Sequence, residues 1–124
     1  LNLKTIEMCH RYSIAVLPGA LTPTEVVTAW QAGGDVVKVF PASAMGGAKY
    51  LTALKGPLPQ VDLIPTGGVS PANLADWLKV PGVAAVGGTW IAKTEDIRNA
   101  QWAKIAANCR EAVAAVQQHR HARA

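Results

Sequence analysis

Lys38 is the residue whose setting asks most directly for a chemical explanation. It lies in the middle of Val36-Val37-Lys38-Val39-Phe40, and in a strand it shares a face with Val36 and Phe40. An amine there must be paired, snorkel toward water or lose its charge. Desolvation favours the neutral form, and a neutral amine is the nucleophile that forms a Schiff base with a carbonyl substrate. The competing reading is an ammonium paired with a buried carboxylate. That partner is hard to find, because Glu25 reads as a helix-cap residue, Asp62 as a strand start, and Glu7, Asp35, Asp76, Glu95, Asp96 and Glu111 fall at no strand's C-terminal end. The same census leaves no Glu, Asp or His at a strand end to shuttle protons, a role commonly worth about 10² to 10⁴ in rate. Hydroxyls stand there instead, on Ser43, Thr66 and Thr89.

Two double glycines form the second candidate. Thr66-Gly67-Gly68 and Gly87-Gly88-Thr89 each follow an aliphatic run. Consecutive glycines after a strand permit positive φ and turn backbone N–H groups toward a common point, a concavity suited to an anion. The plain alternative is that they supply tight turns and nothing more. The remaining strand ends read Pro18-Gly19-Ala20 and Pro41-Ala42-Ser43.

These groups are positioned by a repeating unit. Four short apolar runs begin at Ser13 (SIAVL), Val36 (VVKVF), Val61 (VDLIP) and Val83 (VAAV), so their starts are 23, 25 and 22 residues apart. Each is aliphatic and bounded by Gly or Pro, the pattern of a strand buried on both faces. Helix signals lie between them. Thr22-Pro23-Thr24-Glu25 places a capping hydroxyl, a first-position proline and a Glu three residues after the cap, and Gly33-Gly34 closes that helix. Ser70-Pro71-Ala72-Asn73 repeats the device without the acid. Ile105, Cys109, Val113 and Val116 form a helical stripe expected to lie on the sheet. Trp77 and Trp102 read as core residues in helices, with Trp90 open to either role, and His10 as a surface or packing residue. His119 and His121 read as part of a frayed basic tail. The order β-α-β-α-β-α-β-α implies a parallel sheet with right-handed crossovers, either about half of a (β/α)₈ barrel or a small doubly wound sheet. In both, ligand chemistry belongs to the loops leaving the strands' C-terminal ends.

Composition sets the outer bounds. With 124 residues, 50% hydrophobic and 16% charged, the chain reads as a single domain over residues 1–124, too apolar for intrinsic disorder and with no run long enough to span a bilayer. Its formal charge of +4 comes from basic residues scattered singly, so no nucleic acid partner is expected. Two lone cysteines, Cys9 beside His10 and Cys109 in an expected helix, offer neither a disulfide framework nor metal-ligand spacing, and the reading is a reducing compartment with structural thiols. The opening Leu1-Asn2-Leu3 has no signal-peptide pattern and suggests a point of truncation.

Taken together, Pro18-Gly19 with Thr22-Pro23-Thr24-Glu25, Lys38-Val39-Phe40-Pro41-Ala42, Gly46-Gly47, Lys55-Gly56-Pro57, Pro65-Thr66-Gly67-Gly68-Val69 and Val86-Gly87-Gly88-Thr89-Trp90 resemble the 2-keto-3-deoxy-6-phosphogluconate aldolase family, often bifunctional with 4-hydroxy-2-oxoglutarate aldolase activity. The resemblance runs to about Thr94. It implies a class I aldolase on a TIM barrel, usually a cytoplasmic homotrimer that needs no metal or cofactor and acts on a phosphorylated keto acid and pyruvate. Lys38 then matches the Schiff-base lysine. Phe40 and Pro41 match the wall beside bound pyruvate, Thr66 a contact to its carboxylate, Pro18 and Gly19 part of the substrate pocket, and Gly67, Gly68, Gly88 and Thr89 the phosphate cradle. Thr89 stands where the family more often has Ser, and Ser43 where some members have Glu. On this alignment the four strands are the fifth to eighth of the barrel, and the family's proton-shuttling Glu and anion-binding Arg belong to earlier strands. An alternative is a noncatalytic half-barrel that binds phosphorylated anions or assembles with a complementary half.

Overall fold

The structure, a computed structural model, describes residues 1–121. Of the domain expected over residues 1–124, residues 122–124 lie outside the described residues. In chain order the elements are α1 (Leu3–Arg11), β1 (Gly19–Ala20), α2 (Pro23–Gln31), β2 (Val37–Val39), a 3₁₀ turn (Ser43–Met45), α3 (Ala48–Lys55), β3 (Leu63–Pro65), α4 (Leu74–Leu78), α5 (Thr94–Arg98) and α6 (Trp102–His121). The three strands form a parallel sheet in the order β1-β2-β3. The expected β/α alternation and parallel pairing are therefore present, with two changes at the edges.

The first run forms no strand at Ser13–Leu17. Ser13 has φ 54°, and Ser13 N–H to His10 O and Ile14 N–H to Cys9 O bonds close the end of α1, so the start of the run is the helix exit. Pairing begins further on, where Asp35 N–H donates to Val16 O at 3.1 Å and Lys38 N–H to Pro18 O at 2.9 Å. The fourth run lies beside β3 through two bridges, Leu63 with Val83 and Thr66 with Gly87. Three steps on β3 thus span four on its neighbour, and that extra residue interrupts the ladder.

Alternation divides the sheet into two unlike faces. Ala20, Val37, Val39, Leu63 and Pro65 are buried, the apolar ones against Val26 and Ala29 of α2, Leu51 and Leu54 of α3, and Leu74, Trp77 and Leu78 of α4. The opposite face is open: Lys38 and Ile64 are half-buried, and Leu17 and Phe40 are 52% and 55% exposed. The expectation of strands buried on both faces is corrected, since among the described residues all the helices of the core cluster lie on one side.

Helix starts follow the sequence in one case and depart in another. At α2 the Thr22 side chain accepts from Glu25 N–H while Glu25 reaches back to Thr22 N–H, a complete capping box. At α4 the cap position falls on Asn73, not Ser70. Asn73 Oδ1 accepts from Ser70 N–H and Trp77 Nε1–H, and its Nδ2–H donates to Gly68 O, so the side chain braces the loop after β3. The stripe on α6 is also corrected. That helix packs on α4 and α5, leaving Cys109 and Val113 exposed and only Val116 against the core, because Leu74, Trp77 and Leu78 of α4 take the sheet-facing role. Trp102, expected in the core, is 60% exposed, whereas Trp77 is buried. Helix α6 includes His119 and His121, and the rest of the expected tail, residues 122–124, lies outside the described residues. No described helix is long and apolar enough to cross a membrane.

Candidate functional site

β2 is the central strand, and Lys38 stands at its middle with Gly19 of β1 and Ile64 of β3 as register partners. The side chain lines an open recess of about 320 Å³ together with Gly19, Leu21, Glu25 and Phe40. The enclosure expected from so apolar a strand is thus half achieved. Lys38 Nζ is 5.6 Å from the centroid of the Phe40 ring, a cation–π distance, and forms no ion pair with a described carboxylate. Gly19 keeps the recess open, since a Cβ there would meet nothing within 4 Å.

Phe40 connects the lysine to the first glycine turn. A Cβ on Gly67 would stand 3.2 Å from the Phe40 ring and 3.4 Å from Pro41 Cα, so the turn is packed against the two residues that follow Lys38. Thr66, by alternation with Ile64, lies on the lysine face. Gly67 and Gly68 take φ of +90° and +76°, the conformation that requires glycine. The turn is pinned by Ala42 N–H to Thr66 O and Ser43 N–H to Gly67 O bonds. Gly87 and Gly88 do not adopt positive φ, contrary to the reading of both pairs as left-handed turns. Their lack of a side chain makes room for neighbours: a Cβ on Gly87 would meet Thr66 Oγ1 at 2.5 Å, and one on Gly88 would overlap the Trp90 ring. The Thr66–Gly87 bridge sets the two turns side by side. The bridge engages the Gly67 N–H with Gly87 O, whereas the N–H groups of Gly68, Gly88 and Thr89 bond to no described residue, which leaves three donors in neighbouring turns. Pro18, by contrast, is buried behind β1, and a Cβ on Gly34 would strike its ring at 2.6 Å. Its contribution is the carbonyl that receives Lys38 N–H.

Glu25 is a further residue of the Lys38 recess. Assigned to a helix cap, it nevertheless lines the Lys38 recess, because α2 begins directly after β1 at the strand's C-terminal end. Position relative to the strand, not residue type, was the available signal. The N–H groups of Thr22 and then Leu21 hold its carboxyl below the ordinary 4.5. Tyr50 of α3 completes this loop by donating its hydroxyl to Leu21 O. Burial, and secondarily the Glu25 charge, raise the Tyr50 phenol above 10.0. The other carboxylate near the sheet, Asp35, accepts from Val16 N–H at 2.7 Å and serves the opposite strand end. His10 proves to be a packing residue, its Nε2 lying 2.6 Å from Gly33 O. Among the described residues no group of three His, Cys, Asp or Glu side chains is arranged to hold a metal ion.

The fold thus sets a lysine at the centre of a parallel β/α sheet, with glycine turns at neighbouring strand ends. The family model described as KDPG and KHG aldolase matches residues 1–108, and the chain belongs to that family. It is 35% identical to the 2-dehydro-3-deoxy-phosphogluconate aldolase of Haemophilus influenzae over 91% of its own length and 53% of that protein's. A crystal structure described as a 4-hydroxy-2-oxoglutarate aldolase/2-deydro-3-deoxyphosphogluconate aldolase from TTHB1 superposes with a TM-score of 0.80 at 31% identity, covering 94% of this chain and 55% of that one. The KDPG aldolase of Legionella pneumophila, with pyruvate captured at low pH as a covalent carbinolamine intermediate, gives a TM-score of 0.77 at 36% identity over 84% of this chain and 50% of that one. The chain spans about half the length of the curated relatives it matches.

Proposed function

We propose that this chain carries the nucleophile and the anion-holding turns of a class I aldolase that cleaves 2-keto-3-deoxy-6-phosphogluconate to pyruvate and glyceraldehyde 3-phosphate, and 4-hydroxy-2-oxoglutarate to pyruvate and glyoxylate. The observation that carries the reading is Lys38 at the centre of β2, facing an open recess, with Phe40 linking it to the Gly67-Gly68 turn. The pyruvate carbinolamine captured in the Legionella relative supports it by analogy.

After Lys38 gives up its ammonium proton to solvent, its amine adds to the C2 ketone, and loss of water gives an iminium. Cleavage of C3–C4 sends its electron pair into that iminium while the C4 hydroxyl gives up its proton, so the aldehyde departs and an enamine remains. Protonation at C3 and hydrolysis release pyruvate and restore the amine. Phe40 and Pro41 wall the pyruvate end, with Thr66 at the carboxylate. The turns formed by Gly67, Gly68, Gly88 and Thr89 hold the phosphate and fix the scissile bond near the lysine. In this reading the sheet is half of a (β/α)₈ barrel, the base for the C4 hydroxyl comes from the barrel's earlier strands, and the working enzyme is a cytoplasmic homotrimer without cofactor.

Pyruvate release from 2-keto-3-deoxy-6-phosphogluconate by the chain and by Lys38→Ala tests the assignment. The expected result is release slower than a whole-length relative's by about 10² to 10⁴, for want of the shuttling carboxylate, and abolished by the substitution. Release no different in Lys38→Ala contradicts it.

A further inference from the structure

The surroundings of Lys38 are electrically lopsided. On the β1 side its recess holds the Glu25 carboxylate, with the α-ammonium of Leu1 at the same recess; Lys38 and Glu25 are the charged side chains that line it. On the β3 side stand Thr66 and the N–H groups of Gly68, Gly88 and Thr89, which bond to no described residue. Glu25 is held in place by its own loop: Oε2 accepts from Leu21 N–H at 2.8 Å and Thr22 N–H at 2.9 Å, whereas Oε1 bonds to no described residue. Those donors stabilise the ionised carboxylate, so the charge persists through neutral pH. A keto acid approaching Lys38 carries a negative group next to its carbonyl. It meets a fixed anion on one side and free donors on the other.

We propose that Glu25 is a specificity-determining residue that repels the carboxylate end of a keto acid from the β1 side of Lys38 and so directs that end toward Thr66 on the β3 side. This rests on the aldolase reading above and assigns Glu25 no proton transfer. The recess is open to water, so the repulsion is screened. A solvent-screened charge lining the same recess alters binding by about two- to fivefold, an effect that weakens as salt rises.

Glu25→Gln separates charge from structure, because Gln at this position also completes a capping box. The measurement is the rate at which borohydride traps a ketone on Lys38 of the full chain, for pyruvate and for its neutral ester methyl pyruvate, at low and high salt. Glu25→Gln is expected to raise the pyruvate-to-ester ratio about two- to fivefold at low salt, with the gain vanishing at high salt. Thr22→Ala, which loosens the cap and keeps the charge, is expected to lower both rates together and leave the ratio unchanged. A ratio unmoved by Glu25→Gln, or moved equally by Thr22→Ala, overturns the proposal while the aldolase reading stands. Failure to trap either ketone on wild-type Lys38 overturns both.

Discussion

Gly68 offers the sharpest test of how the first glycine turn is built. Its φ is +76°, and a Cβ there would come within 2.4 Å of Ser43 Cβ and 2.5 Å of Ser43 Oγ. Rotating the Ser43 hydroxyl relieves only the second contact, so the backbone of one loop must move. That movement is opposed by the Ser43 N–H to Gly67 O bond and by Asn73, whose Nδ2–H holds Gly68 O at 2.8 Å. Placing a non-glycine residue in the left-handed region costs about 1 to 2 kcal/mol, and forcing a methyl group into filled space about 1 to 3 kcal/mol. Gly68→Ala is therefore expected to lose about 2 to 5 kcal/mol of stability, read from urea unfolding as a shift of midpoint at constant slope. The two contributions separate in a double-mutant cycle. In a Ser43→Gly background the steric part disappears and about 1 to 2 kcal/mol remains. A loss below about 0.5 kcal/mol, or one that Ser43→Gly leaves untouched, refutes this account of the turn.

Other expectations follow from the same geometry. Gly19→Val projects into open space opposite Lys38, so unfolding midpoints should stay within about 0.5 kcal/mol of wild type while borohydride trapping of pyruvate slows as the recess fills. Glu25 has a lowered folded pKa, so its contribution to stability is full above 4.5 and disappears as pH falls through the lower folded value. The urea midpoints of wild type and Glu25→Gln should differ at neutral pH and converge in acid. Tyr50→Phe leaves Leu21 O without its donor and should cost about 1 kcal/mol. Because the Tyr50 phenol is raised, wild type keeps that advantage below 10.0 and loses it as pH climbs through the folded value, which unfolding at alkaline pH would reveal.

How far the sequence discloses this molecule depends on the range of the force that decides each feature. The α2 capping box is legible because Thr22 and Glu25 are three residues apart and their bonds are local. Lys38 is legible because an amine amid valines contradicts its surroundings wherever the strand goes. The first strand is displaced because the exit of α1, with Ser13 in left-handed conformation, takes up the start of the apolar run. Trp102 and Val113 read as core because periodicity reports that a helix has an apolar stripe without saying what lies opposite. Gly87 and Gly88 show the same limit, since what requires glycine there is the nearness of Thr66 and Trp90. Glu25 is the instructive miss: its capping role is correct, and its place beside Lys38 emerges only when β1 and β2 pair.

The most direct measurement is peptide mapping by mass spectrometry after the chain is incubated with pyruvate and sodium borohydride, alongside Lys38→Ala. The account predicts a reduced pyruvate adduct on Lys38, absent from Lys55, Lys79 and Lys104 and abolished by the substitution. A folded chain that carries no adduct, or carries it equally on other lysines, contradicts the claim that Lys38 is the nucleophile.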